Sequence, residues 1–152
     1  MNNFIRNELY EKISPDFLKK HPREFLENLK FCYSSGIDIS DYINDCSKED
    51  TWFSPIPMCL FYLVGELENK NPNFSENDFY GCDYGIEESL GIEILNYLII
   101  CGANLKIKNY YGETIYNEID DVRKGKPTIT NRIYNESLIE FIKNCRTASI
   151  IY

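Results

Sequence analysis

The sequence predicts an all-α protein built from about three stacked helix pairs, and three observations lead to this prediction. Apolar residues recur at helical spacing in Phe25–Cys32 and in Ile94–Cys101, so each segment has one broad buried face. Each segment is followed by a glycine, Gly36 or Gly102, which can end a helix by adopting a positive φ. The residues around the two glycines are similar, which indicates an internal repeat.

Length and composition are typical of one globular unit. The 152 residues are enough for one buried core, with 43% hydrophobic and 26% charged residues. The longest apolar run, Met58–Val64, is far shorter than the roughly 18 residues that cross a membrane. The first residues, MNNFIRNELYEK, lack the apolar core of a signal peptide. We therefore expect a single domain over residues 1–152 that is located in the cytoplasm.

The first helix pair is predicted over about residues 3–35. A short helix at Asn3–Ile13 ends at Ser14-Pro15, where serine can cap the next helix and proline can occupy its first turn. His21-Pro22 is a second break, because the residue before a proline avoids the helical region. The helix that follows ends at about Ser35 and is expected to face the core with Phe25, Leu26, Leu29, Cys32 and Tyr33. Asp41–Phe53 is then an irregular connection.

The middle pair is predicted over about residues 55–101 and contains a long insertion. Its first helix begins at Pro55 and ends near Val64, and its second begins near Gly91. The intervening residues, about 65–89, are rich in Asn, Gly, Ser and acids, and the stretch up to Tyr84 has no apolar helical stripe. This composition is typical of a loop, so we expect an acidic inserted loop inside the middle pair.

The last pair is predicted over about residues 113–146. Thr114 can cap its first helix, which extends to about Val122. Thr130 or Asn131 can cap the last helix, whose apolar stripe is Ile133, Tyr134, Leu138, Ile139, Phe141 and Ile142. The apolar tail ASIIY is expected to pack back onto that helix.

The segment Gly91–Ile119 resembles the ankyrin repeat family. An apolar helix precedes Gly102-Ala103, and Asn109-x-x-Gly112-x-Thr114-Ile115-Tyr116-Asn117-x-Ile119 resembles the family pattern D-x-x-G-x-T-P-L-H-x-A. Ser54-Pro55-Ile56 is similar to the T-P-L start of a repeat, and Gly36 and Gly102 are roughly 66 residues apart, about two family periods. Asn109, Ile115 and Asn117 replace the family's Asp, Pro and His. The resemblance implies a divergent stack of few repeats that binds a protein partner and shares no catalytic residue.

Motifs for catalysis or metal binding are absent from the sequence. The single histidine, His21, precedes a proline at a helix break, and the six scattered cysteines contain no C-x-x-C pair. Glu76, Asp78, Asp83, Glu87 and Glu88 could offer oxygen ligands to calcium, but the order of an EF-hand loop is missing. We therefore expect buried free thiols, no enzymatic activity, no cofactor and no metal. A pocket lined by Asp78, Asp83 and Glu87 would favour an enzyme instead.

Negative charge is concentrated in the middle third of the chain. The whole chain has a formal net charge of −8, and residues 51–105 contain one basic residue, Lys70, against eight acidic residues. Such a field disfavours nucleic acid and favours a basic protein partner. Trp52, Tyr80, Tyr84, Tyr110 and Tyr111 lie in predicted loops, where large rings can anchor a partner or can cover a small core of the loop itself.

The leading hypothesis is a small acidic inhibitor that resembles ankyrin-like immunity proteins. It would neutralise a cognate basic toxin, such as a nuclease, as a monomer in a 1:1 complex, without contacts to nucleic acid or membrane. The predicted partner-binding residues are Trp52, Glu66, Glu68, Glu76, Asp78, Tyr80, Asp83, Tyr84, Glu87, Glu88, Tyr110 and Tyr111. The alternative is a general ankyrin-repeat adaptor of bacterial or viral origin, which would bind a host or regulatory protein through its concave helix face.

Overall fold

The computed structural model describes residues 3–45, 55–64, 66–67, 86–109, 112–123, 132–133 and 136–151, and this part of the chain is mostly helical. Its helices are α1 (Asn3–Lys12), α2 (Pro15–Lys20), α3 (Pro22–Ser34), α4 (Ser40–Ile43), α5 (Ile56–Leu63), α6 (Glu88–Ile100), α7 (Ile115–Arg123) and α8 (Glu136–Ile151). Two strands of two residues each, β1 (Glu66–Leu67) and β2 (Arg132–Ile133), form an antiparallel pair. The sequence pattern did not predict these strands.

Six of the helices lie in two rows of three. In the first row, α5 packs between α2 and α7, and in the second row α6 packs between α3 and α8. Across the rows, α2 packs against α3, α5 against α6, and α7 against α8. The pair α5/α6 therefore lies between the other two pairs, and its two helices supply the centre of the core.

Helices α3 and α6 run parallel and side by side. Near their first residues, Arg23 Nη2 lies 3.7 Å from Glu87 Oε2. Near their last residues, the rings of Tyr33 and Tyr97 meet edge to face, with 6.4 Å between centroids. Because each of these contacts joins residues of similar position in the two helices, α3 and α6 run in the same direction.

The glycines after α3 and α6 end both helices in the same way. Gly36 has a φ of 69° and Gly102 a φ of 105°, which confirms the predicted glycine stops. The next residue in each case donates its N–H to the carbonyl five residues earlier, from Ile37 to Cys32 at 3.0 Å and from Ala103 to Leu98 at 2.9 Å. These are the hydrogen bonds of a Schellman motif, which satisfies helix-end carbonyls.

Helices α5 and α6 approach each other closely where α5 ends and α6 begins. Ile86 donates its N–H to the Leu63 carbonyl at 2.8 Å, and Val64 and Ile86 form an isolated β-bridge. A Cβ built on Gly91 would lie 2.5 Å from Val64 Cγ2, which is closer than real Cβ contacts. Glycine at this position therefore permits the close contact between the two helices.

The core of the first and middle pairs follows the predicted apolar stripes, except for Tyr33 and for Ile99 and Cys101, which are half-buried. Buried residues of α3 and α6 are Phe25, Leu26, Leu29, Cys32, Leu90, Ile94, Leu95 and Leu98. Every described side chain of residues 55–64 is also buried. Tyr33, which was expected to face the core, is 58% exposed. It lies in the last turn of α3, where its ring contacts Tyr97 on the surface.

Two boundaries in the first two-thirds of the chain differ from the expectation. The second helix of the middle pair begins at Glu88, because Leu90 continues the buried stripe upstream of Ile94. The end of the expected insertion, about 65–89, is therefore helical. A short helix, α4, also occupies the start of the segment expected to be irregular, with Ile39 and Ile43 buried on either side of its single turn.

The C-terminal region differs from the expectation in two respects. Ile133 was expected in the last helix, but it lies in β2 opposite Glu66, and α8 begins only at Glu136. The residues up to Ile151 continue α8 and do not fold back onto it. The first difference follows from β1, which pairs with Arg132 and Ile133 through backbone contacts that local periodicity cannot reveal.

Candidate protein-binding surface

Most of the predicted partner-binding residues lie outside the described part of the chain. These residues are Trp52, Glu68, Glu76, Asp78, Tyr80, Asp83, Tyr84, Tyr110 and Tyr111. Glu66 belongs to β1, and its backbone lies opposite Ile133. Glu87 and Glu88 are adjacent to each other at the beginning of α6. The structure thus positions Glu66, Glu87 and Glu88, and the acidic contact surface as a whole stays a prediction.

The side chains of Glu87 and Glu88 have different surroundings. Glu87 is 73% exposed and its partner Arg23 is 76% exposed, so their 3.7 Å ion pair is solvated and contributes little to stability. Glu88 is half-buried, and its Oε2 is buried without a hydrogen-bond partner in the described residues. It occupies the first turn of α6, where the helix dipole favours a negative charge. Glu87 is therefore available to a partner, whereas Glu88 is mainly part of the helix start.

A surface that sequence analysis did not identify lies along the outside of α3 and α6. We call it the α3/α6 face, and it consists of Glu27, Lys30 and Tyr33 on α3 and Glu93, Tyr97 and Ile100 on α6. Tyr33 is 58% exposed and Ile100 is 44% exposed. The sequence feature that could have indicated this face is Ile100, an apolar residue that lies outside the buried stripe of α6 at Ile94 and Leu98.

The polar part of the α3/α6 face is organised around Lys30. Its Nζ lies 3.5 Å from Glu27 Oε1 and 5.6 Å from the centroid of the Tyr97 ring. The second contact is a cation–π interaction, which holds the lysine over the ring. Glu93, one turn before Tyr97, is exposed and forms no ion pair within the described residues.

The turn before α7 is held rigidly against the middle pair. The Asn109 backbone N–H donates to the Glu113 carbonyl at 2.8 Å, and its side-chain Oδ1 accepts from the Glu113 N–H at 3.0 Å. Its Nδ2 lies 3.3 Å from the Met58 sulfur, and the residue is buried. Gly112 has a φ of 77° in the same turn. Asn109, in place of the Asp of the ankyrin pattern, therefore joins this turn to α5.

Two further asparagines order the neighbouring turns. Asn117 Oδ1 accepts the Thr114 N–H at 2.8 Å while the Asn117 N–H donates to Thr114 Oγ1 at 3.4 Å, a reciprocal cap at the start of α7. Asn44, after α4, donates to the Gly102 carbonyl at 3.0 Å and accepts the Asn104 N–H at 2.8 Å. Asn44 thus ties the end of the first unit to the turn after α6.

The adaptor alternative requires helices that expose side chains to a partner. All described side chains of α5 are buried, so this helix presents none of them to a partner. A cleft of about 200 Å³ lies instead at the end of α6. Its lining residues are mostly apolar: Ile99, Ala103, Asn104, Leu105, Lys106, Tyr116 and Cys145.

The cysteines and the histidine of the described regions offer little reactive chemistry. Cys32, Cys59, Cys101 and Cys145 are free thiols, and burial raises the pKa of each, for Cys32 to about 11. His21 is exposed and lies 5.1 Å from the Phe17 ring between centroids. Among the residues that the structure describes, no three His, Cys, Asp or Glu side chains are grouped to hold a metal ion.

Comparison with protein-family models, with curated proteins and with solved structures finds no match for this chain. Within the described segments, no helix combines the length and the hydropathy needed to cross a membrane.

Proposed function

We propose that the protein is a divergent ankyrin-like repeat module that binds another protein, and that it acts as an acidic inhibitor of a basic partner such as a toxin domain. The observation that supports the repeat assignment best is the parallel packing of α3 and α6 with matching glycine caps. Arg23 contacts Glu87 and Tyr33 contacts Tyr97, so both contacts join residues that are 64 positions apart in the sequence. Successive copies of one repeat unit are expected to pack in this way.

The starts of α2, α5 and α7 support the same assignment. Ser14 caps α2 by accepting the Phe17 N–H at 3.1 Å, Pro55 directly precedes α5, and Thr114 takes part in the cap of α7. These three helices form one row, as the equivalent helices of successive repeats would. The helix starts, the order of the helices and their packing are therefore those expected for three stacked pairs.

The inhibitor part of the proposal rests on charge. Residues 51–105 contain eight acidic residues and one basic residue, and six of the acids lie between Glu66 and Glu87. Such a field attracts a basic protein surface and accelerates association at low ionic strength. A basic active site that normally accepts phosphate offers the complementary charge, which is the reason for naming a nuclease-type toxin as the partner class.

The test is capture of the partner with a matched pair of charge variants. Tagged wild-type protein is incubated with lysate of its source organism at low salt, and captured proteins are eluted with increasing salt. The test variant is Glu76→Lys/Asp78→Lys/Asp83→Lys. The control variant, Glu8→Lys/Glu11→Lys/Glu24→Lys, makes the same change in net charge at residues that are exposed on α1 and α3.

We expect wild type and control to capture one basic protein that is released at moderate salt, and we expect the test variant to lose it. The purified partner should be inhibited by an equimolar amount of wild-type protein. Equal capture by both variants would refute the role of the acidic insertion. Capture of a partner that is not basic and that persists at high salt would support the adaptor alternative instead.

A further inference from the structure

The side chains of the α3/α6 face form one stripe on each of the two helices. Glu93, Tyr97 and Ile100 occupy positions i, i+4 and i+7 of α6, which lie on one side of a helix. Glu27, Lys30 and Tyr33 follow each other at intervals of three on α3. The two stripes meet where the rings of Tyr33 and Tyr97 lie 6.4 Å apart. The α3/α6 face is therefore one continuous strip of side chains along the two parallel helices.

The strip has an apolar end and an acidic end. Tyr33 and Ile100, at the C-terminal ends of their helices, are 58% and 44% exposed. Toward the N-terminal ends lie Glu27, which is 71% exposed, Glu93 and Glu87, which is 73% exposed. The two cations of the strip, Arg23 and Lys30, are already paired with Glu87 and Glu27. The unmatched charge of the strip is negative and is carried by Glu93.

We propose that the α3/α6 face binds an amphipathic basic helix of a partner protein. Apolar side chains of that helix contact Tyr33, Tyr97 and Ile100, and its Lys or Arg side chains lie near Glu93 and the paired carboxylates. Exposed aromatic rings are frequent anchors at such contacts, and an amphipathic helix laid in a groove is a recurrent recognition mode. Apart from Glu87, the residues named here are not among those that carry the proposed function.

Charge excludes a second copy of this chain as the preferred occupant. Each chain has a formal net charge of −8, so two copies of this chain repel each other as they approach. Like charges opposed across an interface reduce affinity. A basic partner removes this repulsion and replaces it with attraction.

The test uses a synthetic helical peptide of Leu and Lys as the probe, and its counterpart with Glu in place of Lys as the charge control. Affinity is measured by fluorescence anisotropy, and the binding surface by shifts of backbone amide NMR signals. We expect the Lys peptide to bind and to shift signals of α3 and α6. We expect the Glu peptide not to bind.

Matched variants test the named residues. Tyr33→Ser with Ile100→Ser should weaken binding of the Lys peptide by roughly tenfold or more, since truncation of central anchors has effects of this size. Phe31→Ser is the control, because Phe31 is also 58% exposed on α3 but lies roughly 160° around the helix from Tyr33. Glu93→Lys should weaken binding, whereas Glu24→Lys should not. Far-UV circular dichroism verifies that each variant is folded.

Two results would overturn the inference. One is an affinity that Tyr33→Ser/Ile100→Ser leaves within twofold of wild type, and the other is an equal loss for Phe31→Ser. If Glu76→Lys/Asp78→Lys/Asp83→Lys alone abolishes binding, the α3/α6 face is not the site and the proposed acidic insertion gains support. If the Tyr33 and Ile100 variant alone abolishes binding, the face is the site and the insertion is not required for the peptide.

Discussion

Replacing Gly102 by alanine should destabilise the protein more than the same change at Gly36. Both glycines have positive φ, 105° and 69°, and both end a helix of the second row. They differ in their surroundings. A Cβ on Gly102 would lie 2.8 Å from Ser40 Cβ, whereas nothing lies within 4 Å of a Cβ on Gly36. Gly36→Ala is therefore a control for a left-handed residue without a clash, and the additional cost of Gly102→Ala combines its less favourable φ with the close contact with α4.

The expected magnitudes follow from these two contributions. Alanine in a left-handed conformation costs about 1–2 kcal/mol, and the lower entropy of the unfolded chain offsets about 0.5–1 kcal/mol of this. Gly36→Ala should thus lower the free energy of unfolding by about 1 kcal/mol. Overpacking costs about 1–3 kcal/mol more. Gly102→Ala should therefore cost about 2–4 kcal/mol, which corresponds to a fall in Tm of roughly 6–12 °C for a chain of this length.

The assay is equilibrium unfolding in urea at 25 °C, followed by far-UV circular dichroism and extrapolated to zero denaturant. Ser40→Gly removes the opposing Cβ and allows a double-mutant cycle. In the Ser40→Gly background, Gly102→Ala should cost less than in the wild-type background, because only the backbone strain of its φ remains. Equal costs for Gly36→Ala and Gly102→Ala in the wild-type background would refute the close contact between Gly102 and α4.

Three further predictions concern the packing of the pairs and the response to pH. Gly91→Ala should lower the free energy of unfolding in urea by about 1–2 kcal/mol, because a clash with Val64 outweighs a gain in helix propensity of about 1 kcal/mol. The control Ser89→Ala, at an exposed position of the same helix, should be neutral or stabilising. A Gly91→Ala variant as stable as wild type would contradict the close contact with Val64. Asn44→Ala should lower the free energy of unfolding by about 1–3 kcal/mol, because its hydrogen bonds to Gly102 and Asn104 are lost. The control Asn96→Ala, at an exposed position, should be within about 0.5 kcal/mol of wild type. Equal costs for the two variants would argue against a stabilising role of the Asn44 hydrogen bonds. Burial raises the pKa of Cys32 from 9.0 to about 11, and burial with nearby Tyr10 raises that of Tyr42 from 10.0 to about 12. Since the folded state holds these protons more tightly, the stability that these two groups contribute should be complete below pH 9 and should be lost between pH 9 and 12. Tyr42→Phe should reduce the loss between pH 10 and 12, and an unchanged pH dependence in that range would contradict the prediction.

Local sequence rules predicted the helix ends and the core stripes well. Ser14 caps α2, Gly36 and Gly102 end α3 and α6, and Thr114 takes part in the cap of α7. Each of these features depends on a few neighbouring residues. A cap needs one side chain within reach of an N–H group, and a glycine stop needs one residue without a Cβ.

The same rules could not locate the α3/α6 face or the strand pair. Whether Tyr33 is buried depends on where Tyr97 lies, 64 positions later in the chain. Ile133 belongs to a strand because Glu66 lies opposite it, although its own neighbours suit a helix. Nothing within one helical turn of either residue indicates its distant partner.

What the sequence by itself determined is therefore most of the helices, several of their caps and their main apolar sides, together with the acidic charge of the middle third. The tertiary structure decided which helices are neighbours, that all described side chains of α5 are covered, and that an aromatic strip is left exposed between α3 and α6. The physical reason is the distance along the chain over which the responsible interactions act. Helix geometry and capping are set by interactions over a few residues, whereas burial and surface shape arise from contacts between segments that are distant in the chain.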